Sequence, residues 1–176
     1  MRRRPRLLVL VGPKGAGKTS IGRGLGEHPG VRFVDVERVA KRVLDQTGGV
    51  IDEHYAARAF EAIYQELCAS EGDAATLVME TTGASDSANA LLSKLRSRFD
   101  VVLVRILAEA ALCDERMATR DQSAQIQVDS AMVRAMFERT VALDWPWALT
   151  VDNDGRREVA AIVADIARLI DAGLVA

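Results

Sequence analysis

The chain has 176 residues, 49% of them apolar and 27% charged, the composition of an ordinary globular domain with one hydrophobic core. A net charge of −2 gives no electrostatic footprint for nucleic acid or an anionic membrane, and no segment approaches the roughly 18 apolar residues of a membrane span. Cys68 and Cys113 lack metal-ligand spacing and read as reduced packing residues of a cytoplasmic protein.

Arg2-Arg3-Arg4-Pro5-Arg6 reads as a solvated basic arm. It is not a signal peptide, because the apolar run after it is too short. That run, Leu7 to Val11, predicts a strand over 6–11. Gly12-Pro13-Lys14-Gly15-Ala16-Gly17-Lys18-Thr19 follows it and spells G-x-x-x-x-G-K-[ST], leading into Ile21-Gly22-Arg23-Gly24-Leu25, which starts a helix. Strand, loop and helix are the context this phosphate-binding motif requires. The glycines let successive backbone N–H groups face one anion, and the helix points its positive end at the same place. Gly12 to Ser20 therefore form the candidate nucleotide site. Lys18 reaches toward the β- and γ-phosphates and the Thr19 hydroxyl toward Mg²⁺.

A second strand is expected over 31–36, with Asp35 and Glu37 at its end. If the strand continues through both, they share a face. One carboxylate then supports Mg²⁺ and the other orients an acceptor hydroxyl. The alternative is an acidic helix start, favoured by the helix dipole. The helix around 50–70 carries His54, Tyr55, Arg58, Phe60, Glu61 and Tyr64 and is placed to cover an acceptor pocket. Arg58 reads either as the partner of an acidic acceptor group or as a surface arginine.

A third strand over 75–80 ends in Glu80, a candidate metal-supporting acid, followed by Thr81, Thr82 and Gly83. The threonines offer hydroxyls to a ligand or satisfy loop amides before a helix starting at Ser85 or Asp86. Gly83 permits close approach by a substrate. The fourth strand spans 100–107, with Arg105 at its solvent end or paired. Arg116 and Arg120 share a helical face and open a lid over about 114–128 that would close on the phosphates. Otherwise they are a solvated face. Arg134 and Arg139 lie on the next helix, Arg139 being the better placed to face the site. Trp145-Pro146-Trp147 reads as core and turn packing, and a fifth strand over 147–152 ends in Asp152-Asn153-Asp154-Gly155. Val159, Ile162, Val163, Ile166, Leu169 and Ile170 mark a final amphipathic helix.

Strands alternating with helices predict an α/β fold, a parallel sheet with helices on both faces, in one domain over 1–176. Ligands of such sheets bind outside the carboxyl ends of the strands.

The phosphate loop, Phe33-Val34-Asp35-Val36-Glu37, the Arg116…Arg120 lid and Val151-Asp152-Asn153-Asp154 resemble the shikimate kinase branch of small P-loop kinases. The resemblance implies five parallel strands in the order 2-3-1-4-5. It implies that Asp35 and Glu37 serve Mg²⁺ and the acceptor hydroxyl, that a lid arginine contacts ATP, and that Asn153 lies by the adenine. The chain departs from that family in four places. Asp-x-Asp is replaced by Asp35-Val36-Glu37, three glycines by Thr81-Thr82-Gly83, and Arg-Pro-Leu by Arg120-Asp121-Gln122. Ala57-Arg58-Ala59-Phe60-Glu61 is a loose counterpart of the carboxylate-gripping Phe-Arg-x-x-Glu. The expected function is ATP-dependent phosphorylation of a small hydroxyl compound, with Mg²⁺ and no nucleic-acid or membrane partner. Two alternatives stand beside it. One is a nucleotide-dependent regulator that hydrolyses ATP slowly. The other is a nucleoside or nucleotide kinase stacking its acceptor on Tyr55, Phe60 or Tyr64.

Overall fold

A computed structural model describes residues 4–119 and 129–173. The elements in chain order are β1 (Arg6–Val11), α1 (Lys18–Gly26), β2 (Val31–Phe33), α2 (Val36–Gln46), α3 (Tyr55–Ala69), β3 (Thr76–Thr81), α4 (Asp86–Arg98), β4 (Asp100–Leu107), α5 (Ala110–Ala118), α6 (Ser130–Val141), β5 (Leu149–Asp152) and α7 (Val159–Asp171). The five strands form one parallel sheet in the order β2-β3-β1-β4-β5. In register, Val11 lies beside Thr81 and Arg105, and Leu107 beside Asp152. All carboxyl ends therefore open on one edge.

β1 is the centre of the sheet because it is apolar on both faces. Leu7, Leu8, Val9 and Leu10 are all fully buried. Each contributes about 1.5–3 kcal/mol relative to an exposed side chain. Their alternation divides the core. Leu8 and Leu10 pack with Ile21 and Leu25 of α1, Cys113 of α5 and Ile162, Ile166 and Ile170 of α7. Leu7 and Val9 pack on the other face with Val39 of α2, Ile63 and Leu67 of α3, and Leu91, Leu92 and Leu95 of α4. α1 lies close on β2, since a β-carbon at Gly22 would sit 2.3 Å from the Phe33 ring.

The second strand is shorter than the apolar run suggests. Val34 still donates its N–H to the Val78 carbonyl (2.8 Å), but Asp35 then turns. Its carboxylate accepts from the Arg38 N–H at 3.1 Å and caps α2, with Glu37 in the first turn. A side chain that can satisfy a helix's free amides ends the strand at Phe33. The shared strand face expected for Asp35 and Glu37 is thus replaced by a helix start. β5 begins at Leu149, two residues later than expected, so Trp147 precedes the strand. β3 runs one residue further than expected, to Thr81. Among the described residues no helix is long and apolar enough to cross a membrane.

Candidate nucleotide and acceptor site

The chain leaves β1 at Gly12, whose N–H donates to the Thr81 carbonyl at 3.2 Å. Gly15 (φ +86°) and Gly17 (φ +90°) take the left-handed conformation that lets the loop curl before α1. Neighbours also press on the glycines from outside. A β-carbon at Gly12 would lie 2.2 Å from the Ile106 carbonyl oxygen, and one at Gly15 2.5 Å from that of Cys113. At Gly17 it would lie 2.5 Å from Asn153 Nδ2. Lys18 is buried, and its Nζ donates to the Pro13 carbonyl at 2.8 Å, across the mouth of the loop. Lys14 is half-buried beside it, and Ser20 is exposed on α1.

Thr19 and Glu80 meet where β3 ends. The Thr19 hydroxyl donates to Glu80 Oε1 at 2.7 Å, and Glu80 is buried. Burial pushes the Glu80 carboxyl above its ordinary pKa. The Lys18 ammonium and the Thr19 hydrogen bond oppose that shift, while the nearby Asp35 and Glu37 carboxylates add to it. A hydroxyl and a carboxylate at this distance are hard oxygen donors, which suits Mg²⁺. The described residues hold no cage of three or more acidic, His or Cys ligands, and Mg²⁺ needs none, because it keeps waters and takes substrate phosphates.

Asp35 and Glu37 both reach this edge, each with a cation. Arg23 of α1 donates to Asp35 Oδ2 at 3.1 Å, and Lys14 lies 3.9 Å from Glu37. Arg23 was not visible in the sequence as a partner, because the contact joins the last turn of α1 to the cap of α2 and no spacing rule reports it.

Opposite, Arg116 at the end of α5 lies 3.5 Å from Asn153 Oδ1, and one of its guanidinium nitrogens, Nη1, is buried without a hydrogen bond. Asn153 is buried after β5 and donates through Nδ2 to the Ala16 carbonyl at 2.8 Å. The structure thus joins Arg116, Asn153 and the phosphate loop. Arg120 and the lid from 120 onward lie outside the described residues.

The remaining candidates are more dispersed. Arg58 donates to Asp52 Oδ1 at 2.9 Å, ahead of its own helix. The Thr81 and Thr82 hydroxyls accept from the N–H groups of Gly83 (3.1 Å) and Ala84 (3.4 Å), and Ser85 caps α4. Gly83 (φ +69°) is closely approached, but by the protein itself: a β-carbon there would lie 2.8 Å from Leu143 and 2.9 Å from Trp145. Arg139 is exposed on α6. Tyr55 is buried, its hydroxyl donating to the Ala40 carbonyl at 3.0 Å, and Tyr64 carries the Lys94 ammonium 3.8 Å over its ring. Trp145 and Trp147 pack against the core as the sequence suggests, and Trp145 also reaches Gly83. That second contact rests on packing across 62 residues of chain, for which no local pattern exists.

A family model described as an AAA domain matches residues 7–143. The chain belongs to that family. It is similar to the shikimate kinase of Buchnera aphidicola subsp. Baizongia pistaciae, with 27% identity over 94% of this chain and 97% of the relative. Its fold is shared with a shikimate kinase from Acinetobacter baumannii solved with shikimate (TM-score 0.65, 20% identity, 98% and 96% of the two chains). It is shared as well with a sugar kinase from Janibacter sp. HTCC2649 (TM-score 0.66, 15% identity, 95% of each). The chain is a small P-loop kinase of shikimate kinase-like build.

Proposed function

Starting from that membership, we propose that the protein transfers the γ-phosphoryl group of ATP to the hydroxyl of a small metabolite. The observation that carries the reading is the convergence of Lys18, Thr19 and the buried Glu80 on one glycine-built loop, with Thr19 Oγ1 2.7 Å from Glu80.

Loop amides between Lys14 and Thr19, with the Lys18 ammonium, hold the triphosphate; Thr19, with Glu80 and Asp35 behind it, would hold Mg²⁺. The ion, when bound, neutralises phosphate charge. Glu37 orients the acceptor hydroxyl and takes its proton. The new bond forms between that oxygen and the γ-phosphorus as the bond to the β–γ bridging oxygen breaks, and ADP leaves. Arg116, anchored toward Asn153, supplies positive charge on the nucleotide side. Such a reaction asks for positioning and charge stabilisation more than covalent chemistry.

The test is ADP release by purified protein with MgATP, measured with and without a panel of hydroxyl metabolites. Release that rises with one acceptor supports the kinase reading. Steady release that ignores every acceptor supports instead a nucleotide-hydrolysing regulator, the second reading, which the Arg58–Asp52 pair and the crowding of Gly83 favour.

A further inference from the structure

The sheet face that carries α2 and α3 ends in an aromatic rim. Trp145 and Leu143 pack beside Gly83, with two ring carbons of Trp145 at 2.9 and 3.2 Å from where a Gly83 β-carbon would lie. Trp145 stays only half-buried. Behind it stands Trp147, with ring centroids 5.6 Å apart at a 33° tilt, and behind Trp147 the Arg105 guanidinium, 5.4 Å from the ring centroid. Arg105 is fixed in turn by donating to the Val141 carbonyl. Guanidinium, indole and indole form a stack that starts inside β4 and ends at Gly83, two residues past β3. Val36 of α2 and Phe60 of α3 pack on the same core cluster as Leu143, Trp145 and Trp147.

The charges on this side point the same way. Four cations there face carboxylates: Arg58 with Asp52, Arg23 with Asp35, Lys14 with Glu37 and Arg42 with Glu66. An incoming carboxylate would meet Asp35, Glu37, Asp52 and Glu80, and would have to displace Asp52 to reach Arg58. An aromatic wall among matched charges favours a neutral body with an apolar face.

We propose that Trp145, held in place by Trp147 and Arg105, is the specificity wall of the acceptor side, and that the acceptor is a neutral ring compound rather than a carboxylated one. This rests on the kinase reading above. Loss of an apolar contact of this kind changes discrimination about 10- to 200-fold.

The experiment uses the full chain with MgATP and two acceptor sets, D-glucose and adenosine as neutral rings, gluconate and shikimate as carboxylates. ADP release is the first readout. Trp147→Phe supplies a second, because Trp145 is then the sole tryptophan of the chain and its fluorescence reports contact directly. The neutral set is expected to be preferred by about ten-fold or more. Trp145→Ala should raise KM about ten-fold with kcat nearly unchanged, and Trp145→Phe should recover most of it. In Trp147→Phe, the neutral compounds should change the emission and the carboxylates should not, and that response alone supports the wall even without turnover. Preference for a carboxylate, above all one lost on Arg139→Ala, overturns the proposal. So does an unchanged KM in Trp145→Ala, or silence of both readouts with all four compounds. Failure of the kinase reading looks different: ADP release indifferent to any acceptor, with the Trp145 emission still responding to the neutral rings.

Discussion

The two sides of the sheet's carboxyl edge are built by different means. On the nucleotide side, Gly12, Gly15 and Gly17 are pinned by the Ile106 and Cys113 carbonyls and the Asn153 amide, and Lys18, Glu80 and Asn153 are buried with hydrogen bonds. A β-carbon at any of the three glycines would move a packed neighbour. On the acceptor side, the charged residues stand in partly exposed pairs such as Arg42–Glu66 and Arg58–Asp52, and such pairs hold little stability. The loop proposed to bind the triphosphate is locked into the core. On the proposed reading, the choice of acceptor sits on residues that can be exchanged cheaply.

The largest expected effect tests the locked side. Lys18→Ala removes the cation over the loop, and turnover should fall by about 10³-fold or more, in line with the loss of a preorganised charge at a developing phosphate charge. The far-ultraviolet spectrum and melting temperature should persist. Phosphoryl transfer retained by the purified variant would defeat the assignment of this loop.

Gly15→Ala tests the packing behind it. A β-carbon there combines a left-handed backbone (φ +86°) with a 2.5 Å approach to the Cys113 carbonyl, and neither partner is a flexible side-chain end. Strain and overpacking together should cost about 2–4 kcal/mol in denaturant unfolding, with nucleotide binding weakened as well. A loss under about 1 kcal/mol would show that the loop is softer than its contacts imply.

Glu37→Gln probes the exchangeable side. Removing the proton acceptor should slow transfer about 10²-fold while leaving the nucleotide Kd within about three-fold. Equal losses in both would place Glu37 with the metal and phosphates instead, and the division between the two sides would dissolve there.

The same division governs what the sequence revealed. β1, β3 and β4 are continuous apolar runs, and the phosphate loop is a local motif, so both were readable from neighbouring residues alone. The strand order came from the family resemblance and matches the sheet. β2 was overextended because Val34 and Val36 prolong the apolar pattern, while the capping bond from Arg38 N–H to Asp35 was the stronger local choice. The Arg116–Asn153 contact and the Trp145–Gly83 contact join distant segments, and no spacing rule reports them. Asp52 with Arg58 was open to reading, since an acid just before a helix is placed to meet its first-turn arginine.

The smallest expected effect has the most informative sign. Glu80 is buried between the two sides, and its folded-state pKa is raised above the unfolded value, chiefly by burial. A raised carboxyl contributes stability that is fully present below its ordinary pKa of about 4.3 and is lost as pH rises through the folded value. Glu80→Gln keeps an oxygen to accept from Thr19 Oγ1 and never ionises. The ligand-free variant should therefore match the wild type near pH 4 and gain on it in Tm as pH climbs to neutrality, each 1 kcal/mol showing as about 2–4 °C for a chain of this size. Magnesium-dependent nucleotide binding should weaken in the same variant. A Tm gap that stays flat from pH 4 to 8, or that favours the wild type as pH rises, would mean that Lys18 and Thr19 outweigh desolvation. Glu80 would then belong to the stabilising core of the cradle instead of being an acid kept there at a cost for its work.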